Sequence, residues 1–462
     1  METLQRTANR GSVSTGYEIT HSIKFDSANT EAITTNNQAA GNQRTFTWSG
    51  WIKRTRANVS VAEYMFSAGG TAIRFVAGEV LHIVTGSTSK VTSQVFRDTS
   101  AWFHLVWIVD TTQSTEADRS RIYLNGSLIT DFSSATYPSQ NTDLDVGGQG
   151  SSLNWLQLGQ WYAGGRNFNG YMAEIHYLNG TVAEPSNFGE TDSDTGIWIP
   201  KEYTGGNYGT QGYYFKFDDS SNLGKDSSGE SHDANSLTNI SAADQATDTP
   251  TNNFCVINAI NLSTQTLTQG ATKIVSTDNT SRTSFGTMAV SKGKWWWEGK
   301  IQVYESNTTY PCIGVTGDLD NPPATSAQLF GSNHVIKLAK NQKWVTNDTG
   351  TSYGTTYSDN DIINIGLDMD NHIMYTYKNG TIDDASGINF SSQSAATADD
   401  FYIPINLVYV TGGGSSWEMN FGGFANYTIS SGASDGNGYG TFEYAPPSGY
   451  YALCSKNLAE FG

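Results

Sequence analysis

Hydrolytic chemistry would have to be built from paired carboxylates, and the chain offers one close pair. Asp368 and Asp370 in LDMDN stand two residues apart, and on a strand such positions face the same way. Retaining glycoside hydrolysis needs two carboxyls about 5–5.5 Å apart, which this spacing could supply. Asp370-Asn371 is, however, ordinary turn chemistry, so the pair reads as a turn with solvation of a sheet face. Glu174 in YMAEIHYLNG is followed by Ile175, His176 and Tyr177, with no second acid at catalytic spacing. It reads as a solvent-facing carboxylate beside a packed hairpin. Ser231, His232 and Asp233 are consecutive, and neighbours in sequence do not converge as a nucleophile, base and acid must. The histidines at 21, 82, 104, 176, 232, 334 and 372 never fall at ligand spacing, and no His-Glu-x-x-His, Cys-x-x-Cys or EF-hand pattern occurs. His104 and His176 read as hydrogen-bonded structural residues on strands. Asp143 and Asp145 in NTDLDVGG come nearest to an oxygen cluster for Ca2+, an ion that takes about six to eight ligands. The glycine-rich GGGSSWEMNFGG and GNGYG precede neither a helix nor a lysine, which argues against a phosphate cradle. No residue is assigned a catalytic role, and the chain reads as a non-enzyme.

Aromatic side chains remain as binding candidates. Trp161, Tyr162 and Arg166 in QWYAGGRNF sit in a stretch loosened by glycine. Rigid rings beside an arginine on a loop supply contact area at little entropic cost. Tyr310, Tyr353 and Tyr357 have the same character in the second half. The competing reading for all of these is that they cap a core or a subunit interface. KWWWEGK reads as core plus interface rather than as a sugar platform.

The elements that must position these groups are strands. The chain of 462 residues, at roughly 150 per domain, fits about three domains or two large β-sandwiches. Its 48 glycines, 12 tryptophans and 24 tyrosines favour the sandwiches. A formal charge of −18 disfavours nucleic acid, which is held through basic stripes. Three scattered cysteines make neither a disulfide framework nor a zinc site and read as buried thiols. The start METLQRTANRGSVSTGYEI has no apolar core of a signal peptide, and no apolar run is long enough for membrane insertion. Residues 1–20 are polar, with Arg6 and Arg10, and read as an arm able to dock onto a neighbour.

In RTFTWSGWIKR, Phe46, Trp48 and Ile52 alternate with Thr45, Thr47 and Lys53, the signature of a half-buried strand. AWFHLVWIVD is apolar on both faces and predicts a central strand covered on both sides. Tyr-x-Asn-Gly occurs in RIYLNGS, IHYLNGT and TYKNGT. Asn-Gly tolerates the positive φ of a type I′ turn, so tight hairpins are predicted at Asn125-Gly126, Asn179-Gly180 and Asn379-Gly380. The polar stretch after about residue 190 predicts a boundary, giving sandwiches over 21–240 and 256–462 joined by a linker at 241–255.

FTWSGWIKR, FHLVWIVDTT, RIYLNGSLITDF and FNGYMAEIHYLNG together resemble the concanavalin A-like (laminin-G-like) sandwich. FKFDDSSNLGKDSSGESHDA resembles the opening strand of such domains but stands last, which implies a permuted order in which it closes the first sandwich. The fold also hosts glycoside hydrolases, yet the Glu-x-Asp-x-(x)-Glu strand of laminarinase-type enzymes is not present. GKWWWEGKI, CIGVTGD, DIINIGLDMDNHIMYTYKNG, YIPINLVY and WEMNFGG resemble a SPRY domain. The joints PKEYTGGNYGTQGYYFKF, DTPTNNFC and PPSGYYALCSKNL resemble virion proteins of marine tailed bacteriophages, of the tail-fibre-like and capsid-fibre-like kind. The fold implied is all-β, with two antiparallel jelly-roll sandwiches in tandem. The function implied is that of a virion structural protein, a fibre or appendage attaching to host-surface glycans. A capsid decoration or cement protein with no receptor role is the alternative, and a polysaccharide-degrading enzyme is disfavoured by the carboxylates. The resemblance further implies other virion proteins as partners, homo-oligomers (trimers if fibrous), and synthesis in the host cytoplasm without a signal peptide. Arg6 and Arg10 would then belong to a virion anchor.

Overall fold

The computed structural model describes residues 16–35, 41–146, 155–260, 262, 265–276, 282–302, 311–318, 333–345, 350–393, 400–408 and 415–462. They are nearly all β, in antiparallel sheets, with one α-helix at Ser455–Phe461 among them. No described helix is long and apolar enough to cross a membrane. The chain forms two compact units that divide between Thr251 and Asn252.

In the N-terminal unit one sheet runs Ser127–Leu128, Ser120–Leu124, Phe103–Asp110, Thr45–Arg54, Gly170–Asn179, Ser22–Phe25 and Gln245–Ala246. The other runs Phe132–Ala135, Thr88–Val95, Val80–Thr85, Thr71–Val76, Glu63–Ala68, Leu156–Leu158, Ala32–Thr35 and Ser236–Thr238. Their facing sides share one core, which includes Phe46, Trp48, Phe66, Ile73, Trp107 and Ile175. Burying rings of this size removes about 150–250 Å² each from water, a gross gain of roughly 4–6 kcal/mol per ring.

The Thr45–Arg54 strand sends Phe46, Trp48 and Ile52 inward as the alternation requires. It is not half-buried, however: Thr47, Ser49 and Lys53 on the other face are also fully buried. The reason is a second layer, in which Phe188, Tyr208 and Tyr214 pack on Val106, Ile108 and Leu178. A stretch that looks polar in sequence therefore roofs the sheet. The same layer accounts for Phe103–Asp110, whose Leu105, Trp107 and Val109 face the main core while Val106 and Ile108 face the roof. Tyr213–Phe215 pairs with Gly170–Asn179 and so joins this sandwich, but it does not close it: the chain goes on to Ser236–Thr238 and Gln245–Ala246, which form an edge of each sheet.

Asn125 and Gly126 take φ of 46° and 78° between paired residues Leu124 and Ser127, a two-residue hairpin. Asn379 and Gly380, at 49° and 76°, do the same between Lys378 and Thr381. Asn179-Gly180 is a correction. Asn179 ends a strand, its side chain clamps the backbone of Asn42, and the chain leaves for the 3-10 turn at Pro185–Asn187.

Residues 241–255 are likewise no linker. Ser241 and Asp244 form a capping box, Gln245–Ala246 pairs with Ser22–Phe25, and Asp248 is buried on Lys53. Cys255 N–H then donates to Leu453 O inside the C-terminal unit. Nor do residues 17–19 belong to a loose arm, because Ile19 is buried with Trp51 and exchanges hydrogen bonds with Thr251.

The C-terminal unit (Asn252–Gly462) also packs two sheets. Lys294–Ile301, Ile362–Asp368, Ile373–Lys378 and Ser415–Asn420 form the centre of one, Cys312–Thr316, His334–Leu338 and Ile403–Val408 that of the other. Trp295, Trp297 and Ile301 enter the core between them, while Trp296 packs on the opposite face with Phe254 and Phe442. Glu298, also on that face, is fully buried and accepts hydrogen bonds from Asn364, Asn420, Tyr427 and the N–H groups of Glu443 and Tyr444. Cys255, Cys312 and Cys454 are buried free thiols.

Candidate functional site

The outer face of the second sheet in the N-terminal unit carries a row of alternating rings and cations. Ile73, Phe75, Leu81 and Ile83 point into the core, so the period-2 pleat turns Arg74 and His82 outward. Arg74 is paired across the sheet with both Tyr64 and His82. Its guanidinium lies 4.9 Å from the centroid of the Tyr64 ring and donates to Tyr64 Oη and to His82 Nδ1, at 3.1 Å from Nη2. Burial, aided by the Arg74 charge, lowers His82 to about 4. The imidazole is therefore neutral at pH 7, with Nδ1 accepting.

The row continues through the loop at 159–168. Trp161 lies 6.2 Å from Tyr64 and 5.2 Å from Tyr162, and the Arg166 guanidinium sits 4.9 Å over the Trp161 ring. The loop is pinned rather than loose. Gly159 N–H donates to Met65 O, Tyr64 N–H to Arg166 O, Trp161 N–H to Gly165 O, and Ser67 Oγ to Gln160 O. Gly164, Gly165 and Arg166 all have positive φ, at 85°, 70° and 56°. Arg166 is exposed, and Trp161 and Tyr162 are half-buried. Neither Arg74 nor Arg166 forms an ion pair with a carboxylate among the described residues. On a chain of net charge −18, such a row is a local positive site. Cations over ring faces are held by about 0.5–2 kcal/mol each, weakly enough for an anionic group to compete for them.

Sequence reasoning found Trp161, Tyr162 and Arg166 but missed Tyr64, Arg74 and His82. The signal was the outward parity of Arg74 and His82 on two apolar strands. The other candidates do not join this row. Tyr353 and Tyr357 are a correction: they are 4 % and 0 % exposed and belong to the C-terminal core. Tyr357 Oη donates to Asp383, and its ring lies 4.0 Å under Lys337 Nζ. Tyr310, Arg6 and Arg10 lie outside the described residues. Asp143 is paired with Arg44 at 2.6 Å and Asp145 accepts from Gly70 N–H at 2.6 Å. The described residues contain no group of three or more metal-ligating side chains.

The carboxylates weighed for catalysis are engaged in the fold. Glu174, expected in solvent, is 6 % exposed at a bulge with φ of 50°. Its Oε2 accepts from Tyr17 Oη at 3.0 Å and Tyr214 Oη at 2.5 Å. His176 stacks on Tyr214 at 4.1 Å and bonds Tyr208, and His104 lies between Ser49 and Trp198. Burial lowers His104 to about 3 and lowers His176 as well, so both are neutral. Asp368 pairs with Lys294 and caps Asn371, while Asp370 accepts from Gly293 N–H.

No family model matches the chain, and no curated protein matches it. Among solved structures it is similar to the SPRY domain of human HERC1, at 12 % identity over 34 % of this chain and 92 % of that one, with a TM-score of 0.28. It is also similar to a carbohydrate-binding protein of Bacteroides ovatus, at 16 % identity over 48 % of this chain and 60 % of that one, with a TM-score of 0.34. A heptameric pentraxin from Limulus polyphemus aligns at 14 % identity over 36 % and 80 %, with a TM-score of 0.27. Likeness at this level carries no argument about superfamily or function.

Proposed function

We propose that the chain is a non-enzymatic virion structural protein, a fibre or appendage of a tailed bacteriophage. In this reading the arginine–aromatic row of its N-terminal sandwich holds host-surface glycans. The observation that carries the binding role is the pair of arginines, Arg74 and Arg166, that have no carboxylate partner among the described residues and are separated by the buried ring of Tyr64 and the half-buried ring of Trp161. Rings stack on the C–H faces of sugars, and guanidinium groups bind carboxylate or sulfate substituents bidentately, so acidic saccharides fit best. The virion assignment is supported by the resemblance of the joints. Engagement of Glu174, Asp368 and Asp370 in the fold supports a binding role over a hydrolytic one. A single row is a shallow site, but multivalent display in a homo-oligomer can raise avidity by about 10²–10⁴.

The test is binding of the purified full chain to an acidic-saccharide array and to host cells. Trp161→Ala and Arg166→Ala are each expected to lower binding at least tenfold, with folding unchanged by circular dichroism. Wild-type binding by both variants would overturn the assignment of the site. A wild-type chain that binds neither surface, but occupies the capsid in imaged particles, would favour the decoration role instead.

A further inference from the structure

Lys24, Glu31 and Asp244 form a buried triad that the proposed function does not use. Lys24 lies on the unit's first strand and Asp244 directly precedes its last, Gln245–Ala246. These strands pair antiparallel with Ile23 opposite Gln245, which brings Lys24 beside Asp244 across the sheet. Lys24 Nζ is 2.7 Å from Asp244 Oδ1 and 2.7 Å from Glu31 Oε1. The side chains of Lys24 and Glu31 are 1 % exposed and that of Asp244 is 11 % exposed.

We propose that Lys24 and Asp244 are the partners of an intramolecular isopeptide bond, with Glu31 as the proton carrier. The Lys24 ammonium gives a proton to Glu31 and its amine attacks Asp244 Cγ. Negative charge then collects on Asp244 Oδ2, which already accepts from Ser241 N–H at 2.8 Å in the capping box. Pre-placed donors of this kind stabilise an oxyanion without reorganisation. Glu31 returns its proton to Oδ1, the amine nitrogen passes a second proton through Glu31 to the same oxygen, and Oδ1 leaves as water. The carboxylate and ammonium become an amide and one water, so atoms and charge balance and no co-reactant is needed.

Three features favour this over a plain ion pair. The reacting groups are held in contact by the sheet, the arrangement in which intramolecular reactions reach effective molarities of about 10⁵–10⁸ M. Burial holds the Glu31 carboxyl above its ordinary value against the pull of Lys24, with the Asp244 charge adding to the rise, which suits a proton carrier. Glu31 is itself fixed, its Oε2 by Asp26 N–H at 2.7 Å and its Oε1 by Asn29 at 3.1 Å, so its oxygens stay aimed at the amine. The bond would join the first strand of the unit to the last and carry tension past the sandwich between them.

Intact mass of the purified, denatured full chain decides the matter. The expected mass is that of the sequence less one water, and digestion should release a branched peptide joining Lys24 to Asp244. Lys24→Arg should restore the full mass. Asp244→Asn should still cross-link, losing ammonia in place of water, because the acyl product is the same. Glu31→Gln should abolish or greatly slow the loss while native circular dichroism persists. A wild-type chain of full sequence mass would overturn the proposal, as would a water loss that maps to Lys24–Glu31, to Lys53–Asp248 or elsewhere.

Discussion

Two groups of aromatic side chains look alike in sequence and end in opposite environments. Trp161 and Tyr162 stand next to Gly164 and Gly165, and Tyr353 and Tyr357 stand around Gly354. In the N-terminal unit the rings of Trp161 and Tyr162 stay half-buried, with Arg166 over the Trp161 face. In the C-terminal unit Lys337 closes the loop from within. Its ammonium donates to the carbonyls of Leu338, Lys340 and Thr355 and covers the Tyr357 ring. Asp383 completes the burial by accepting from Tyr357 Oη, Thr376 Oγ1 and Thr355 Oγ1. Tyr357 goes inside because the fold supplies a partner for its hydroxyl, whereas Tyr353 is buried with no hydrogen-bond partner for its hydroxyl among the described residues. The partner of Tyr357 lies 26 residues away from it and is invisible to local composition.

The sharpest way to break the comparison is to delete a ring on each side. Tyr357→Ala leaves a cavity and takes one of several donors from Asp383, so a loss of about 3–5 kcal/mol is expected in urea unfolding. Trp161→Ala removes a half-buried ring from a loop and should cost about 1 kcal/mol or less, while taking glycan binding with it. Equal destabilisation by the two would show that the surface row is core in disguise.

A titratable group beside each set of rings, Lys337 in one unit and His82 in the other, should separate the units by pH. Burial pushes Lys337 from 10.5 down to about 7. Between those values the unfolded chain holds the extra proton, so stability rises with pH by up to about 1.4 kcal/mol per unit. Below about pH 7 both states are protonated and the full cost of burying the ammonium is present. His82 is lowered from 6.5 to about 4, so its contribution is complete above 6.5 and lost as pH falls towards 4. Solvent screening at the sheet surface keeps that part under about 1 kcal/mol. Urea titrations from about pH 7 to about pH 10 on wild type and Lys337→Met should show the alkaline rise in wild type only. A slope shared by both proteins would remove Lys337 as its source.

Much of the strand architecture was legible because its signals are local. Asn-Gly at 125–126 and 379–380 specifies a turn by backbone preference, and the two apolar faces of Phe103–Asp110 announce a covered strand. The failures share one cause. Asn179-Gly180 has the same turn chemistry, yet the side chain of Asn179 found Asn42 and the chain left the sheet. The stretch around Phe188 to Tyr214 is rich in Gly, Asp and Thr, and nothing local says that its few rings roof a sheet. That roof is why Glu174, expected in water, is buried among tyrosines. For the candidate site, the loop was readable as ring plus arginine, whereas Arg74 and His82 required knowing which face of their strands the core had taken.

The smallest expected effect tests whether the row is held in shape by its loop. Gly164 has φ of 85°, and a Cβ there would meet nothing within 4 Å. Gly164→Ala therefore adds backbone strain and no clash, at about 1 kcal/mol. Relaxing that strain means turning the 164–166 backbone, which carries the Gly165 carbonyl bonded to Trp161 and the Arg166 carbonyl bonded to Tyr64. Binding should fall severalfold, more than the loss of stability alone would give. Gly229 is the matched control in the same unit, with φ of 89° and equally open space. Gly229→Ala should cost the same stability and leave glycan binding untouched. If both variants bind like wild type, the loop adapts to its ligand and its positive-φ run is incidental to recognition. If only Gly164→Ala loses affinity, the geometry of the Gly164–Arg166 turn is part of the site, which no reading of ring and charge content alone would reveal.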